Sequence, residues 1–460
     1  MTELLSYKDN FSKTLKIAYP VMLSQIGHIL VGIIDSLMVG QLGPEPLAAS
    51  SFANSVFSVF LMFGIGLSFG ITPLVAQADG KKDEGTITRV LRQGIILCIV
   101  AGFVLFLGLG LVYYALPYLG QTKEVVSLGE PYYLIIASSI IPLMIFQNFK
   151  QFAEGLSVTK QIMFITIAAN LINVLFNYLL IFGNMGFPEL GLNGAGWATL
   201  ISRIFMMIAG CWFVLKGRPF SRFRDGFNLL KAKAGYFKPM LQIGVPAGTQ
   251  FLFEVGAFSM AAVMMGWIGD KELAAHQIAI GLVALSYMAA TGISAASTVR
   301  IGNLIGQSDG VNLFRTGNAN FALSLFVMSA CAVIFVLVHD VVPGFYINDP
   351  EVIRIAASLI IIAGFFQLSD GVQVVGLGNL RGMSDVKVPT VITLVAYWGL
   401  AMPVSYIFGF VLDFGPEGIW YGLLTGLTTA AVLLYFRFKR LSKKRALAFQ
   451  IVPVESNPSA

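Results

Sequence analysis

Long apolar stretches follow one another along most of the chain, and short polar stretches separate them. An α-helix needs about 20 predominantly apolar residues to cross the hydrocarbon core of a bilayer. Segments such as 95–111 show no alternation of polar and apolar positions, so the strands of a transmembrane barrel do not fit. The pattern predicts twelve transmembrane helices, at residues 14–40, 50–78, 90–116, 131–156, 162–183, 192–216, 238–267, 276–305, 317–340, 351–380, 388–411 and 417–440.

The composition agrees with a chain that has lipid as its solvent. Hydrophobic residues make up 56% and charged residues 12% of the 460 residues. A soluble domain carries about 25% charged residues, and half that share leaves too few polar groups to cover a water-facing surface. Cys98, Cys211 and Cys331 all lie in apolar stretches, without the paired spacing of a disulfide or zinc site. The sequence therefore predicts an all-α integral membrane protein.

The basic residues predict how the helices are oriented. Of the 30 lysines and arginines, 26 lie in the two terminal segments, in the loops that follow even-numbered helices or in the helix ends next to them. The other loops hold only Lys123, Lys271 and Arg354, and Arg203 lies inside a helix. Cytoplasmic loops carry the excess of basic residues, so we expect both termini in the cytoplasm. The net charge of +6 then faces anionic lipid rather than nucleic acid.

The sequence contains an internal repeat. Residues 15–80 align without a gap with residues 241–306, at an offset of 226. Matching pairs include Pro20 with Pro246, Gly40 with Gly266, Gly66 with Gly292 and Gly80 with Gly306. Two six-helix repeats share one orientation, so we expect two bundles related by a pseudo-twofold axis along the membrane normal, with a V-shaped cavity between them. The predicted domains are an N-terminal lobe at 1–217, a cytoplasmic linker at 218–237 and a C-terminal lobe with a basic tail at 238–460.

Three carboxylates lie inside apolar segments, where an ionisable side chain is costly and usually functional. They are Asp35 in helix 1, Glu254 in helix 7 and Asp370 in helix 10. Such a group can hold Na⁺ with neighbouring oxygens or can carry a proton. The alternative is a carboxylate that a hydrogen bond neutralises within the packing. In the repeat alignment Glu254 is paired with His28, so the two halves differ at the charged positions.

Polar uncharged residues form a second set of candidates. Asn170, Asn173 and Asn177 lie on one face of helix 5. They either line a cavity for a polar or cationic ligand or form hydrogen bonds between helices. Further candidates for a cavity lining are Gln25, Gln250, Gln373 and Tyr397. His28 either binds a proton or substrate or is a hydrogen-bonded packing residue, and Arg203 either pairs with an acid or extends toward the membrane surface.

Pro20 and Pro246 occupy equivalent positions in helices 1 and 7. Each proline removes a backbone donor and is expected to kink its helix. The kink is either static or the hinge of a conformational cycle.

Enzyme motifs are missing from the sequence. There is no GxxxxGK[ST] loop for a nucleotide, no HExxH motif and no aspartate-rich DDxxD run. We therefore expect no enzymatic activity and no cofactor. Transport by such a chain would draw its energy from a Na⁺ or H⁺ gradient.

The sequence resembles the multidrug and toxic compound extrusion (MATE) transporters, in particular their NorM-like bacterial branch. The resemblance rests on the segment 20–40 with Asp35, on 173–178 and on 194–199. In the second half it rests on 253–255, 274–277, 370–375 and 380–382. The matches cover nearly the whole chain and indicate the family rather than the substrate.

The resemblance implies a bacterial inner-membrane exporter that exchanges cationic or lipophilic small molecules for Na⁺ or H⁺ by alternating access. It implies cation ligands at Glu254 and Asp370, and a requirement for Asp35 in transport. The sequence departs from the family at Phe366, where some NorM-like proteins carry a tyrosine that binds the cation. Gln367 or Tyr397 is a candidate replacement, and the choice between Na⁺ and H⁺ stays open.

Two other functions fit parts of the pattern. A lipid-linked saccharide flippase of the same superfamily would need a strongly cationic cavity, and Arg203 is the only basic residue that we expect deep inside the membrane. An integral-membrane enzyme, such as a prenyltransferase, would need a paired aspartate motif. We expect membrane lipid and small molecules as partners, no nucleic acid, and a monomer.

Overall fold

The computed structural model describes residues 4–223 and 235–451, which are helical almost throughout. Within them, twelve helices are long and apolar enough to cross a membrane. We label them α1 Tyr7–Gly40, α2 Pro44–Gly80, α3 Glu84–Tyr113, α4 Lys123–Gly155, α5 Lys160–Phe182, α6 Leu192–Lys216, α7 Phe237–Ile268, α8 Asp270–Gly306, α9 Gly310–Val338, α10 Pro350–Gly382, α11 Lys387–Val411 and α12 Gly415–Phe449. The prediction of twelve membrane-spanning helices is confirmed.

Several helices begin earlier than the apolar pattern predicts. The structure starts α1 at Tyr7 rather than at residue 14, and α4 at Lys123 rather than at residue 131. The added turns carry charged side chains, which the hydropathy pattern does not count as part of a span. Backbone hydrogen bonding continues beyond the hydrocarbon core, because helix length is not set by apolar residues alone. Most of the predicted linker lies outside the described residues.

Some spans are interrupted. The α2 span consists of helices Pro44–Ser68 and Thr72–Gly80, and the α4 span consists of Lys123–Ser138 and Ile140–Gly155. In α11, π-helical turns occupy Val395–Ala401 and Ile407–Val411, on either side of a short α-helical segment. π-Helical turns inside α-helices are rare and often occur at functional sites.

The described chain divides into two compact units. The first unit comprises residues up to Tyr19, Ala76–Asp83 and the chain from Phe253 onward. The second unit comprises Pro20–Val75 and Glu84–Leu252. Each unit therefore contains most of one predicted lobe, together with short segments from the other half of the sequence.

Small side chains hold α8 against α10 in the first unit. Ser294 donates its hydroxyl to the carbonyl of Val374 at 2.7 Å, and Thr298 donates to the carbonyl of Gly378 at 3.0 Å. A Cβ atom on Gly382 would lie 2.7 Å from the carbonyl oxygen of Thr298. Small residues and hydroxyl hydrogen bonds are the usual basis of close helix packing in membranes. This packing fixes the part of α10 that carries Asp370.

Outside the spans, Asp349 caps the start of α10. Its carboxylate accepts hydrogen bonds from the backbone N–H of Glu351 at 2.8 Å and of Val352 at 3.4 Å. The Glu351 N–H and then the Lys271 side chain lower the pKa of Asp349. An aspartate at this position satisfies free donors at a helix start.

Candidate functional site

Two acidic side chains lie close together inside the first unit. Glu254 of α7 is 8% exposed, Asp370 of α10 is 2% exposed, and the two carboxylates interact electrostatically. Two buried like charges repel one another, so the pair is costly without a cation or proton. No salt bridge reaches either carboxylate within residues 4–223 and 235–451. The arrangement therefore favours binding of a cation or a proton.

Two tyrosines accompany the carboxylates. Tyr287 of α8 and Tyr397 of α11 each interact electrostatically with both Glu254 and Asp370. The Tyr397 hydroxyl donates a hydrogen bond to Oε1 of the fully buried Gln373 at 2.9 Å. The site thus combines carboxylate, phenol and amide oxygens, and oxygen ligands are those that hard cations prefer.

Unpaired polar atoms point to the same region. Oδ2 of Asp370, Nε2 of Gln373 and both amide atoms of Gln367 are buried without a hydrogen-bond partner in the described part of the chain. A buried polar group without a partner costs free energy and calls for an explanation. All three residues lie within two turns of α10. A bound ion or water would satisfy such atoms.

The π-helical segment of α11 positions the aromatic side of the site. Tyr397 contacts Gln373 of α10, and the next residue, Trp398, donates its indole N–H to the carbonyl of Phe253 at 3.0 Å. Phe253 immediately precedes Glu254. The segment therefore joins α11 to both helices that carry the carboxylates. Pro403 lies just beyond it and cannot donate a backbone hydrogen bond.

Phe366 lies one helical turn before Asp370 and offers no oxygen. Its ring is 1% exposed and packs against Phe258 and Trp420, with ring centroids 6.0 Å away in each case. Tyr397 packs on the same Phe258 ring, at 6.1 Å between centroids. The position that departs from the family pattern is thus part of an aromatic wall beside the acidic pair.

The second unit contains another polar cluster, around Asp35 of α1. Asp35 accepts a hydrogen bond from Nδ2 of Asn177. Asn177 also donates to Oδ1 of Asn173 at 3.3 Å, and Asn173 donates to Thr199 at 3.4 Å. The two asparagines therefore face α1 and α6 from one side of α5. Oδ1 of Asn177 is buried without a partner in the described residues, so the cluster retains an acceptor.

Arg203 lies inside the second unit rather than extending to the membrane surface. Its Nη1 donates to the hydroxyl of Ser139 at 2.6 Å, and its guanidinium lies 5.0 Å from the ring centroid of Phe57. Arg203 also interacts electrostatically with Asp35 and Tyr132. The cation therefore belongs to the polar cluster of this unit.

The other predicted residues are less closely tied to the two clusters. Gln25 is half-buried, and Gln250 is 3% exposed with an amide nitrogen that has no partner in the described chain. His28 is exposed and interacts electrostatically with Lys150 and Arg203. Pro20 and Pro246 lie inside α1 and α7. A hinge at either proline and a cavity role for either glutamine stay predictions.

The sequence did not single out Tyr287, Trp398 or Tyr132. Tyrosine and tryptophan are common in membrane helices, so none of them stands out in an apolar stretch. Only the assembled structure places Tyr132 and Tyr287 near carboxylates and Trp398 on the carbonyl of Phe253. Within the described residues, no group of three or more histidine, cysteine or acidic side chains could hold a metal ion.

Comparison with known proteins agrees with this architecture. The family model MatE matches residues 20–179 and again residues 246–407. The two matched segments begin at Pro20 and Pro246, which are separated by the offset of the internal repeat. "Probable multidrug resistance protein NorM" of Rhizobium meliloti (strain 1021) is 33% identical over 96% of this chain and 96% of its own length. The protein of the same name in Rhodopseudomonas palustris is 34% identical, over 95% of this chain and 93% of its own length.

The fold is also that of solved transporters. The crystal structure of the eukaryotic MATE transporter AtDTX14 aligns with a TM-score of 0.86, covering 96% of this chain and 99% of that one, at 18% identity. At that identity the likeness concerns the fold alone, while the family model and the relatives extend over most of the sequence. This chain therefore belongs to the MATE family, whose members are membrane transporters and not enzymes.

Proposed function

We propose that this protein is a secondary active exporter, which moves cationic or lipophilic small molecules out of the cell in exchange for Na⁺ or H⁺. The observation that carries this proposal is the buried pair Glu254 and Asp370, without a salt bridge in the described residues. A pair of this kind changes charge when a cation or proton enters and leaves. The NorM relatives support multidrug compounds as the cargo.

Coupling follows from what the acidic pair can bind. When a cation or proton occupies Glu254 and Asp370, the pair no longer attracts a cationic substrate, which is released outside. When the ion leaves toward the cytoplasm, the negative charge is restored and a new substrate binds from that side. An ion and a substrate can shift the same conformational equilibrium only if each binds the two states with different affinity. Alternating access of this site to the two sides of the membrane would supply that difference.

Tyr397 is the oxygen ligand that we assign in place of the one missing at Phe366. Its hydroxyl donates to Gln373, and Tyr397 interacts electrostatically with both carboxylates. Phe366 has no oxygen and packs in the aromatic wall. Glu254, Asp370 and Tyr397 would then bind the ion, and Gln373 would orient the phenol. The same set can bind a proton, so the proposal leaves the coupling ion as Na⁺ or H⁺.

Asp35 and its asparagines would serve the substrate in the other unit. The Asn177 hydrogen bond orients the carboxylate, and the free Oδ1 of Asn177 provides a second acceptor. A carboxylate and an amide acceptor suit an organic cation. The protein would act as a monomer in a bacterial plasma membrane. Both termini would lie in the cytoplasm, because the basic residues are concentrated on that side.

The test is ethidium transport by purified protein in proteoliposomes, with Na⁺ and pH gradients imposed separately. We expect one of the two gradients to drive transport, and we expect Glu254→Gln and Asp370→Asn each to abolish the driven component. Glu351→Gln is the matched control, because Glu351 is an exposed acid of the same unit that pairs with Lys271. It lies in the first turn of α10, far along the helix from Asp370. This control should transport at the wild-type rate.

The outcomes separate the possibilities. Transport driven by Na⁺ at constant pH identifies Na⁺ as the coupling ion, and transport driven only by a pH gradient identifies H⁺. Wild-type transport by Glu254→Gln and Asp370→Asn would overturn the coupling role. Folded, abundant protein that moves no dye under either gradient would overturn drug export, and it would favour a different cargo such as a lipid-linked saccharide.

A further inference from the structure

Among the described residues, only neutral oxygens hold a buried arginine in the first unit. Arg300 of α8 is 7% exposed and donates from Nη1 to the carbonyl of Asn10 and to the hydroxyl of Thr14, both at 2.8 Å. Its Nη2 donates to Oδ1 of Asn10 at 2.7 Å. All three bonds therefore reach the first turns of α1. No acidic side chain interacts with Arg300 among the described residues.

The bonds continue into α9 and α10. Thr316 donates its hydroxyl to Oδ1 of Asn10 at 2.8 Å, and Thr14 donates to Oδ1 of Asn320 at 3.0 Å. Asn320 in turn donates to Oδ1 of Asn379 at 3.0 Å. Asn10, Thr14 and the three residues of α9 and α10 are each no more than 1% exposed. We call this connected set, with Arg300, the α1 latch.

The latch acts on a helix that both units share. The part of α1 up to Tyr19 belongs to the first unit, and the part from Pro20 onward belongs to the second unit. The residues before Tyr19 are thus fastened to α8, α9 and, through Asn320, α10, while the rest of the same helix carries Asp35 in the other unit. If the latch opened, Arg300 would lose the three hydrogen bonds that it donates to α1. Hydrogen bonds to charged groups are among the stronger ones, so the latch stabilises the state in which it is closed.

The equivalent helix of the repeat is fastened differently. Tyr236 immediately precedes α7 and follows Asn10 by 226 residues, which is the offset of the internal repeat. In the second unit, the backbone N–H of Tyr236 donates to Oε1 of Gln93 at 2.6 Å, and the Tyr236 hydroxyl lies 3.2 Å from the hydroxyl of Thr86. Gln93 and Thr86 both belong to α3. Each first helix of a repeat is therefore tied to the third helix of the opposite repeat. The α1 contact contains the buried guanidinium of Arg300.

We propose that the α1 latch is a conformational device that closes in one state of the transport cycle and must release for the protein to reach the other. This inference rests on the proposed function only in that a transport cycle exists. The hydrogen bonds of the buried guanidinium make release of α1 a costly step.

A reversible cross-link tests whether the latch must open. In a background that replaces Cys98, Cys211 and Cys331 with serine or alanine, Thr14→Cys and Asn320→Cys place two thiols where the two side chains now form a hydrogen bond. We expect oxidation to reduce ethidium transport at least tenfold and a reducing agent to restore it. Ser369→Cys with Thr428→Cys is the matched control, because these hydroxyls lie 2.8 Å apart in the same unit without involving α1. The oxidised control should keep its rate.

Hydrogen exchange gives a second readout that does not depend on cargo. We expect Arg300→Met to speed exchange of the amides in residues 7–19 by roughly tenfold or more, because hydrogen bonds to a charged group are among the stronger ones. Arg300→Lys should give an intermediate increase, since it retains the charge with a different geometry. Residues 387–411 serve as the internal reference and should not change.

The two measurements distinguish the failures. Full transport by protein that is fully cross-linked between α1 and α9 would overturn the latch, and so would unchanged exchange in Arg300→Met. Absence of transport by the protein that retains Thr14 and Asn320 would instead count against the proposed function. In that case increased exchange in Arg300→Met, confined to residues 7–19, would still support the latch.

Discussion

At the scale of single residues, the candidate ion site is defined by what lies around two carboxylates that repel each other. Glu254 and Asp370 are buried together, and Tyr397 reaches Gln373 beside them. The aromatic wall at Phe366 supplies packing but no ligand. Removal of the Tyr397 hydroxyl should therefore weaken ion binding and leave the folded structure intact.

We expect Tyr397→Phe to weaken binding of the coupling ion about tenfold, because the loss of one hydrogen bond or ligand in a buried site costs about 1–1.5 kcal/mol. The ring and its packing on Phe258 would remain. The measurement is the half-saturating concentration of Na⁺ or H⁺ for ethidium transport, together with the thermal unfolding temperature. Tyr435→Phe is the control, since that ring packs on Phe321 in the same unit. An unchanged ion dependence in Tyr397→Phe would remove this residue from the site.

The sequence identified the charged members of both clusters but not their neighbours. Glu254, Asp370 and Asp35 are conspicuous because charge is rare in apolar segments. The spacing of Asn173 and Asn177 placed them on one helix face, and in the structure they form one chain of hydrogen bonds that ends at Asp35. Tyr287 could not be found in this way, because its role depends on packing between helices far apart in sequence.

At the scale of helices, close packing by small residues sets the positions of the site residues. Ser294 and Thr298 of α8 donate to carbonyls of α10, and Gly382 leaves no room for a side chain against Thr298. Another close approach joins Gly80 and Gly306, which are partners in the internal repeat: a Cβ on Gly306 would lie 3.0 Å from Cα of Gly80. These glycines could be recognised as paired in the sequence, but their contacts could not.

We expect Gly382→Ala to destabilise the protein by roughly 1–3 kcal/mol, because the new methyl group would force α8 and α10 apart. Gly281→Ala is the matched control in α8, where an added Cβ would meet nothing within 4 Å. It should be neutral or slightly stabilising, since alanine favours a helix interior. Thermal unfolding in one detergent compares the two. Equal unfolding temperatures for both variants would mean that this contact relaxes without cost.

Twelve helices could be predicted from hydropathy with errors mainly at their ends, but the π-helical turns of α11 could not. Residues 395–401 are as apolar as an ordinary span, and Pro403 alone does not distinguish a π-turn from a kink. The register of Tyr397 and Trp398 depends on that turn. Local sequence thus determines which segments are helical, while the facing helices determine how each one is wound.

At the scale of the whole molecule, the two compact units do not coincide with the two halves of the sequence. From the N-terminal half, the first unit includes the residues up to Tyr19 and the segment Ala76–Asp83. From the C-terminal half, the second unit includes α7 as far as Leu252. The internal repeat therefore indicates that the chain was duplicated, but each compact unit also includes helix ends from the other half of the sequence. An offset in sequence contains no information about such an exchange.

This exchange predicts that the halves do not fold separately. If the chain is divided between residues 223 and 235, the C-terminal half alone lacks Asn10 and Thr14, so Arg300 loses the hydrogen-bond partners that now compensate its charge. Removing the partner of a buried charge typically costs about 3–5 kcal/mol, which is a large fraction of the stability of most domains. We expect each half alone to aggregate in mild detergent.

Co-expression of the two halves should restore a stable complex, because every contact within a unit is then available again. A tag on one half should purify the other, and the complex should elute as a single species on size exclusion. Replacing Arg300 with methionine in the C-terminal half should make that half easier to isolate alone, since no unpaired charge is then buried. A C-terminal half that is monodisperse by itself, with the unfolding temperature of the intact chain, would show that the exchanged segments contribute little to its stability.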